Sequence, residues 1–231
     1  MFEWLTRLVS ARKQVRRLKK FERAQAWSGG KSITEAFEGI YRDGKWGQGP
    51  SGEKFWSGNG SKSDFSVQYE DFVVKFLAQH PSLESVVDIG CGDFQVSQRL
   101  LKKLKRTITY TGCDVVAPLI VHNRQAYGAS GVVFVQLNAV EQDPPQGDVV
   151  IILQVLQHLS NAQISAILDR VKRLFKVAII TESQPKSPKQ PNLDIKHGIA
   201  TRIALGSGVC IEEPPFNLQV SEVLDVDHTV D

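Results

Sequence analysis

The segment Val86-Val87-Asp88-Ile89-Gly90-Cys91-Gly92-Asp93-Phe94 restricts what this chain can become more than any other. An apolar run feeding a tight turn reads as a buried strand of a parallel sheet. The run ends in a carboxylate and two glycines one residue apart, a turn whose missing side chains let a ligand approach the backbone. Residues 95–105 read as a helix, and its amide-rich start would point at the same turn. A ligand is therefore expected where strand passes into helix.

Charge narrows the choice of ligand. Phosphates laid on this turn would meet the carboxylates of Asp88 and Asp93, whereas an ammonium and a sulfonium would be attracted by them. That favours S-adenosylmethionine over NAD or ATP. A Gly-x-Gly alone also occurs in plain strand-to-helix turns, so the weight rests on the flanking acids. One strand–helix unit further on, Ile108-Thr109-Tyr110-Thr111-Gly112-Cys113-Asp114 reads as the next strand. Asp114 at its end is the expected acceptor of hydrogen bonds from both ribose hydroxyls, set against the plainer reading of a surface acid.

With DIGCGDF at 88–94, GCDVV at 112–116, LQVLQHLSNAQI at 153–164 and IITE at 179–182, the segment 86–181 resembles class I S-adenosylmethionine-dependent methyltransferases. Within them it is similar to a bacterial group also marked by the WG (46–47), FWSGNGS (55–61), PNLD (191–194), GSG (206–208) and PPFNL (214–218) segments. The resemblance implies an α/β fold: a doubly wound, mostly parallel Rossmann-like methyltransferase sheet with helices on both faces. It implies a methyltransferase holding S-adenosylmethionine through Asp88, Gly90, Cys91, Gly92, Asp93, Phe94, Asp114 and Val115, and it leaves the substrate open. Many members carry an Asp after the third strand. Here Asn138 stands there, followed by Ala139, and its amide oxygen can still accept a hydrogen bond from the adenine amino group.

The third strand is expected over 132–137, a fourth over 148–153 and a fifth over 177–181. Ligands in such sheets bind beyond the carboxyl ends of the strands, where Gln154, Gln157 and His158 emerge. Gln154, the first polar side chain after the fourth strand, is expected to touch the cofactor. His158 is the candidate catalytic residue, since imidazole exchanges protons near neutrality; a packed, hydrogen-bonded structural histidine is the competing reading. Ser160 and Gln163 spell a capping box that opens a helix.

Upstream, residues 31–63 are rich in glycine and aromatics, which a low-complexity linker lacks. In the resembling group this segment caps the cofactor, which places Trp46, Trp56 and Gly58 near the methionine end or the substrate mouth. Residues 64–79 show apolar side chains every three to four positions and read as a scaffold helix. Downstream, the proline-rich run 185–191 suggests a lid or substrate wall. Glu182, Asn192, Asp194 and His197 could face the acceptor there. The tail departs from the family, because no second apolar run supplies the usual final hairpin. Either 199–211 pairs with 220–226, or the sheet lacks its last strand.

At 231 residues and 42% apolar content, one substantial core is expected. The organisation is therefore a basic amphipathic helical extension over 1–30, the cap over 31–63 and the cofactor-binding domain over 64–231. Three scattered cysteines, Cys91, Cys113 and Cys210, fit a reducing cytoplasm, and no metal-ligand spacing is visible. Residues 1–30 hold eight Lys or Arg against two Glu, a net +6, so the rest of the chain sums to −3 within the total of +3. In that extension Trp4, Leu8, Ala11, Val15 and Leu18 form a stripe between cations. It can pack on its own domain, pair with another helix, or let residues 1–25 touch an anionic membrane at its cytoplasmic face. Nucleic acid is not expected as partner, because basicity is confined to one helix and no Asn-Pro-Pro-Tyr type base-flipping motif follows the fourth strand. The expected reaction is methyl transfer to a small-molecule, glycan or lipid-linked acceptor. The rivals are an NAD-dependent oxidoreductase, which would place a pyrophosphate against Asp88, and a catalytically inactive interaction protein retaining the fold.

Overall fold

The computed structural model describes residues 2–128, 131–186 and 190–224, with only the backbone of 2–11, Ser63 and Phe65. Strands β1 (Ser85–Ile89), β2 (Thr109–Asp114), β3 (Val132–Gln136), β4 (Val149–Leu153) and β5 (Val177–Thr181) form one parallel sheet in the order β3-β2-β1-β4-β5. The helices are α1 (Phe2–Ser28), α2 (Ile33–Arg42), α3 (Ser63–Gln79), α4 (Gln95–Lys103), α5 (Ala117–Tyr127) and α6 (Asn161–Leu174).

Alternation along the strands divides the core in two. Val86 and Ile151 face Val73 and Leu77 of α3, Leu100 of α4 and Ile120 of α5. Val87, Val150 and Ile152 face Ile164, Leu168 and Val171 of α6 on the other side. Because β1 and β4 are buried on both faces, their sequences show no polar alternation. The chain runs from β1 outward to β3, then returns to lay β4 against the free side of β1. A crevice opens between their carboxyl ends, the place where doubly wound sheets bind ligands.

The capping box at Ser160 and Gln163 forms as expected. A second one, Ser32 with Glu35, starts α2 inside the segment read from sequence as a glycine-rich cap, so that cap begins with a regular helix. The expected stripe of α1 falls partly outside the described side chains, at Trp4, Leu8 and Ala11; Val15 is 51% exposed and Leu18 half-buried.

Of the two outcomes considered for the tail, the described residues show the second. No strand follows β5 through residue 224, and the rest of the expected 220–226 partner lies outside the described residues. Val209, Ile211, Phe216 and Leu218 instead pack on the α6 side of the sheet. Asn192, buried with a positive φ of 55°, pins this irregular segment: its amide donates to Cys210 O and Pro214 O and accepts from Cys210 N.

Candidate active site

The turn after β1 is built by glycine at two left-handed positions, Gly90 (φ 78°) and Gly92 (φ 53°). The N–H groups of Gly90 and Cys91 donate to the same acceptor, Cys113 O, at 2.7 and 3.0 Å. That bond ties the turn to the end of β2 and brings Asp114 beside it. Asp114 accepts from Gly92 N (3.2 Å) and Val116 N (3.0 Å), one bond per carboxylate oxygen, which leaves lone pairs on both. Burial raises its pKa to about 6. A half-buried carboxylate with spare acceptor capacity fits a diol.

Asp88 lines the same cavity, 5% exposed, and its Oδ2 accepts from Ser97 Oγ and Tyr110 OH, each at 2.6 Å. Burial pushes its pKa up, against the lowering effect of those hydroxyls. Asp93 lines the cavity and also ties the cap to the turn. Its Oδ2 accepts from Ser57 N (2.9 Å), while its own N–H donates to Ser57 Oγ (2.8 Å), a reciprocal pair that ties the cap to the glycine turn. Tyr41 OH lies 2.8 Å from the same Ser57 Oγ and extends the tie to α2. A Cβ on Gly92 would come within 2.5 Å of that oxygen, so glycine is required here for the cap to close.

The cavity between turn and cap is lined by Asp114, Val115, Leu137, Asn138 and Ala139. Asn138 Oδ1 accepts from Val140 N at 3.2 Å and keeps a second lone pair. A cluster of rings, Phe37, Tyr41, Trp46 and His158, also lines the cavity, with ring centroids 4.9 Å apart for Tyr41 and Trp46 and 5.8 Å for Trp46 and His158. Gln154 lines it too, at a left-handed φ of 56°, its side chain against Gly60 of the cap.

The loop carrying Gln154 and His158 is clamped from both sides by residues distant in sequence. Glu182 accepts from Leu156 N (2.7 Å) and Gln157 N (3.0 Å). Arg202, with no solvent exposure, donates to Leu159 O, Leu193 O and Asn161 Oδ1 at 2.7 to 2.8 Å. Burial raises the Glu182 carboxyl to about 8. His158 Nδ1 is 3.0 Å from Gly198 O, a carbonyl that can only accept, so the proton sits on Nδ1 and Nε2 carries the lone pair. Burial lowers its pKa to about 4.

The structure thus brings together Asp88, Gly90, Cys91, Gly92, Asp93, Asp114, Val115, Asn138, Ala139, Gln154, His158 and Trp46 around one cavity. Gly58 packs behind Trp46, with a φ of 91°. Phe94 corrects the expectation: it is 4% exposed among Tyr110, Tyr127 and Phe134, because an α4 N-cap in the left-handed region turns its ring into the core. Trp56 is not among the lining residues. Neither are Asn192, Asp194, His197 and Glu182, whose polar atoms are taken up by backbone groups and Gln163. The described parts of the proline-rich run also stay off the cavity, and 187–189 lie outside the described residues. Tyr41, Ser57 and Phe37 were not anticipated; the Ser32-x-x-Glu35 box, which predicts a helix carrying Phe37 and Tyr41, was the available signal.

Residues 87–177 match the family model described as a methyltransferase domain, a span from within β1 to the start of β5. The matched span holds the glycine turn, the carboxylate after β2 and the loop of Gln154 and His158. Among solved structures, the chain is similar to magnesium protoporphyrin IX methyltransferase from Synechocystis PCC 6803 with bound SAM: 22% identity, 74% of this chain, 82% of that chain, TM-score 0.49. It is also similar to human N-acetylserotonin methyltransferase in complex with SAM: 14% identity, 76% and 53% coverage, TM-score 0.45. No curated protein matches the chain.

Proposed function

We propose that this cavity binds S-adenosylmethionine and that the chain transfers its methyl group to a small-molecule, glycan or lipid-linked acceptor placed against the Phe37–Trp46–His158 wall. The observation that carries the reading is one cavity lined together by a half-buried carboxylate, bare glycine backbone and a wall of rings. The donor set fits the group: Asp114 for the ribose hydroxyls, Val115, Leu137 and Ala139 as an apolar slot with Asn138 at its polar edge, and three carboxylates nearby to favour cationic groups. When bound, the cofactor supplies an activated methyl on a sulfonium that leaves as a neutral thioether.

The chain's own residues then mainly orient and exclude water. The tie between Ser57, Tyr41 and Asp93 holds the cap over the turn. His158 is neutral at physiological pH and offers the Nε2 lone pair to an acceptor's N–H or O–H. Its lowered pKa makes it a weak base, so it suits an amine or an already acidic hydroxyl better than an unactivated alcohol.

Calorimetric titration with S-adenosylmethionine, S-adenosylhomocysteine and NAD tests the reading. Micromolar binding of the first two, no binding of NAD, and loss of binding in Asp114→Ala are expected. Well-folded protein that binds neither sulfur ligand would refute it.

A further inference from the structure

Helix α1 carries a charge pattern that methyl transfer does not use. Arg12, Arg16, Lys19, Lys20 and Arg23 recur at intervals of four, three, one and three, which places them on one face of the helix, and all five are exposed. At 1.5 Å per residue the stripe is about 16 Å long. Glu22 is the only acid between residues 12 and 28, and among the described residues none of the five cations forms an ion pair.

The helix rests on its own domain by another side. Arg17 donates to Ile203 O at 3.0 Å, Gln25 Nε2 donates to Lys196 O at 3.0 Å, and Lys196 N donates back to Gln25 Oε1 at 2.7 Å. Phe21 and Ala24 are half-buried on that side, and Ser28 is buried. Docking therefore leaves the basic face turned outward. No helix among the described residues is long and apolar enough to cross a membrane, so any bilayer contact made by this helix is peripheral.

We propose that the basic face of α1 is a docking surface for an anionic phospholipid bilayer. Charge complementarity sets the class of partner: a straight row of unpaired cations matches a plane of anionic headgroups, and each Lys or Arg near such a surface adds to binding. Two side chains favour lipid over RNA. Val15, beside the stripe, is aliphatic and 51% exposed, able to settle among headgroups. Among the described side chains of α1, the aromatics are not free to stack on bases: Phe21 is half-buried, and Trp27 is covered by the ammonium groups of Lys31 and Lys45 at 4.5 and 4.6 Å. Bilayer docking would also bring α2, which follows α1 after four residues and lines the cavity with Ile33, Phe37 and Tyr41, close to the membrane surface.

The test is flotation of the full chain with phosphatidylcholine vesicles, with and without phosphatidylglycerol, at low and high salt, beside binding to a single-stranded RNA. The variant is R12E/R16E/K19E/K20E, whose four sites are exposed and outside the cavity. Wild type is expected to float only with the anionic vesicles and to be released by salt. The variant should partition roughly a hundredfold or more weaker, with unchanged S-adenosylhomocysteine affinity as the proof of folding. Absent flotation, equal flotation with neutral vesicles, an unaffected variant, or binding to RNA without binding to vesicles would each overturn the proposal. None of these outcomes bears on whether the cavity transfers methyl groups.

Discussion

Replacing Ser57 by alanine isolates the tie between cap and turn. The hydroxyl accepts from Asp93 N at 2.8 Å and pairs with Tyr41 OH at 2.8 Å, while the Ser57 N–H to Asp93 carboxylate bond is untouched by the change. Two hydrogen bonds worth about 1 kcal/mol each are lost, and the Asp93 N–H and the Tyr41 hydroxyl lose a partner at a cost that brings the total to about 2–4 kcal/mol. At a urea m-value of roughly 2–3 kcal/mol/M, that is a midpoint shift of about 1 M. Trp46 and Trp56 lie in the cap, so tryptophan fluorescence should report the earlier loss and far-UV circular dichroism the unfolding of the sheet. Tyr41→Phe removes only one of the two bonds and should fall between Ser57→Ala and wild type. A Ser57→Ala protein with both midpoints unchanged and wild-type affinity for S-adenosylhomocysteine would show that this hydroxyl does not hold the cap.

Glu182 makes stability depend on pH with a definite sign. Its folded pKa is about 8 against an ordinary 4.5, so the unfolded chain ionises first and stability falls between those values, by at most about 1.4 kcal/mol per pH unit. Below the ordinary value the contribution is fully present; above about pH 8 it is gone. Denaturation of Glu182→Gln across that range should show a shallower slope than wild type, and parallel slopes would refute the assignment. Arg202→Met strips the donors from Leu159 O, Leu193 O and Asn161 Oδ1. A loss of about 3 kcal/mol or more is expected from leaving buried acceptors unpaired, checked by urea denaturation, with weakened cofactor binding as Gln154 and His158 shift.

The strands were legible because burial on both faces writes itself as an unbroken apolar run, as in Val149–Leu153. The glycine turn was legible because two positive φ values so close together demand glycine. Helix α2 was hidden by its glycine-rich neighbourhood, although its capping box stood in the sequence at Ser32 and Glu35. Asp93 lines the cavity, as its place in the motif suggested, but charge alone cannot reveal that a serine 36 positions earlier accepts and donates at that residue. Phe94 differs: its motif says cofactor, while its backbone conformation turns the ring into the core. Glu182 was read only as a residue that could face the acceptor and Arg202 was not singled out at all, since the clamp the two make on the Gln154–His158 loop is visible only once the chain has folded around it.

The late position of Arg202 orders the life of the chain from the ribosome onward. Among the described residues every strand is complete by Thr181, and the sheet can gather its core while the segment carrying Arg202 is still being made. The loop of Gln154 and His158, by contrast, waits for a guanidinium encoded 44 residues after His158. A nascent or prematurely ended chain can therefore own the whole sheet and still lack a finished pocket, which makes fold and competence two separate events in its maturation.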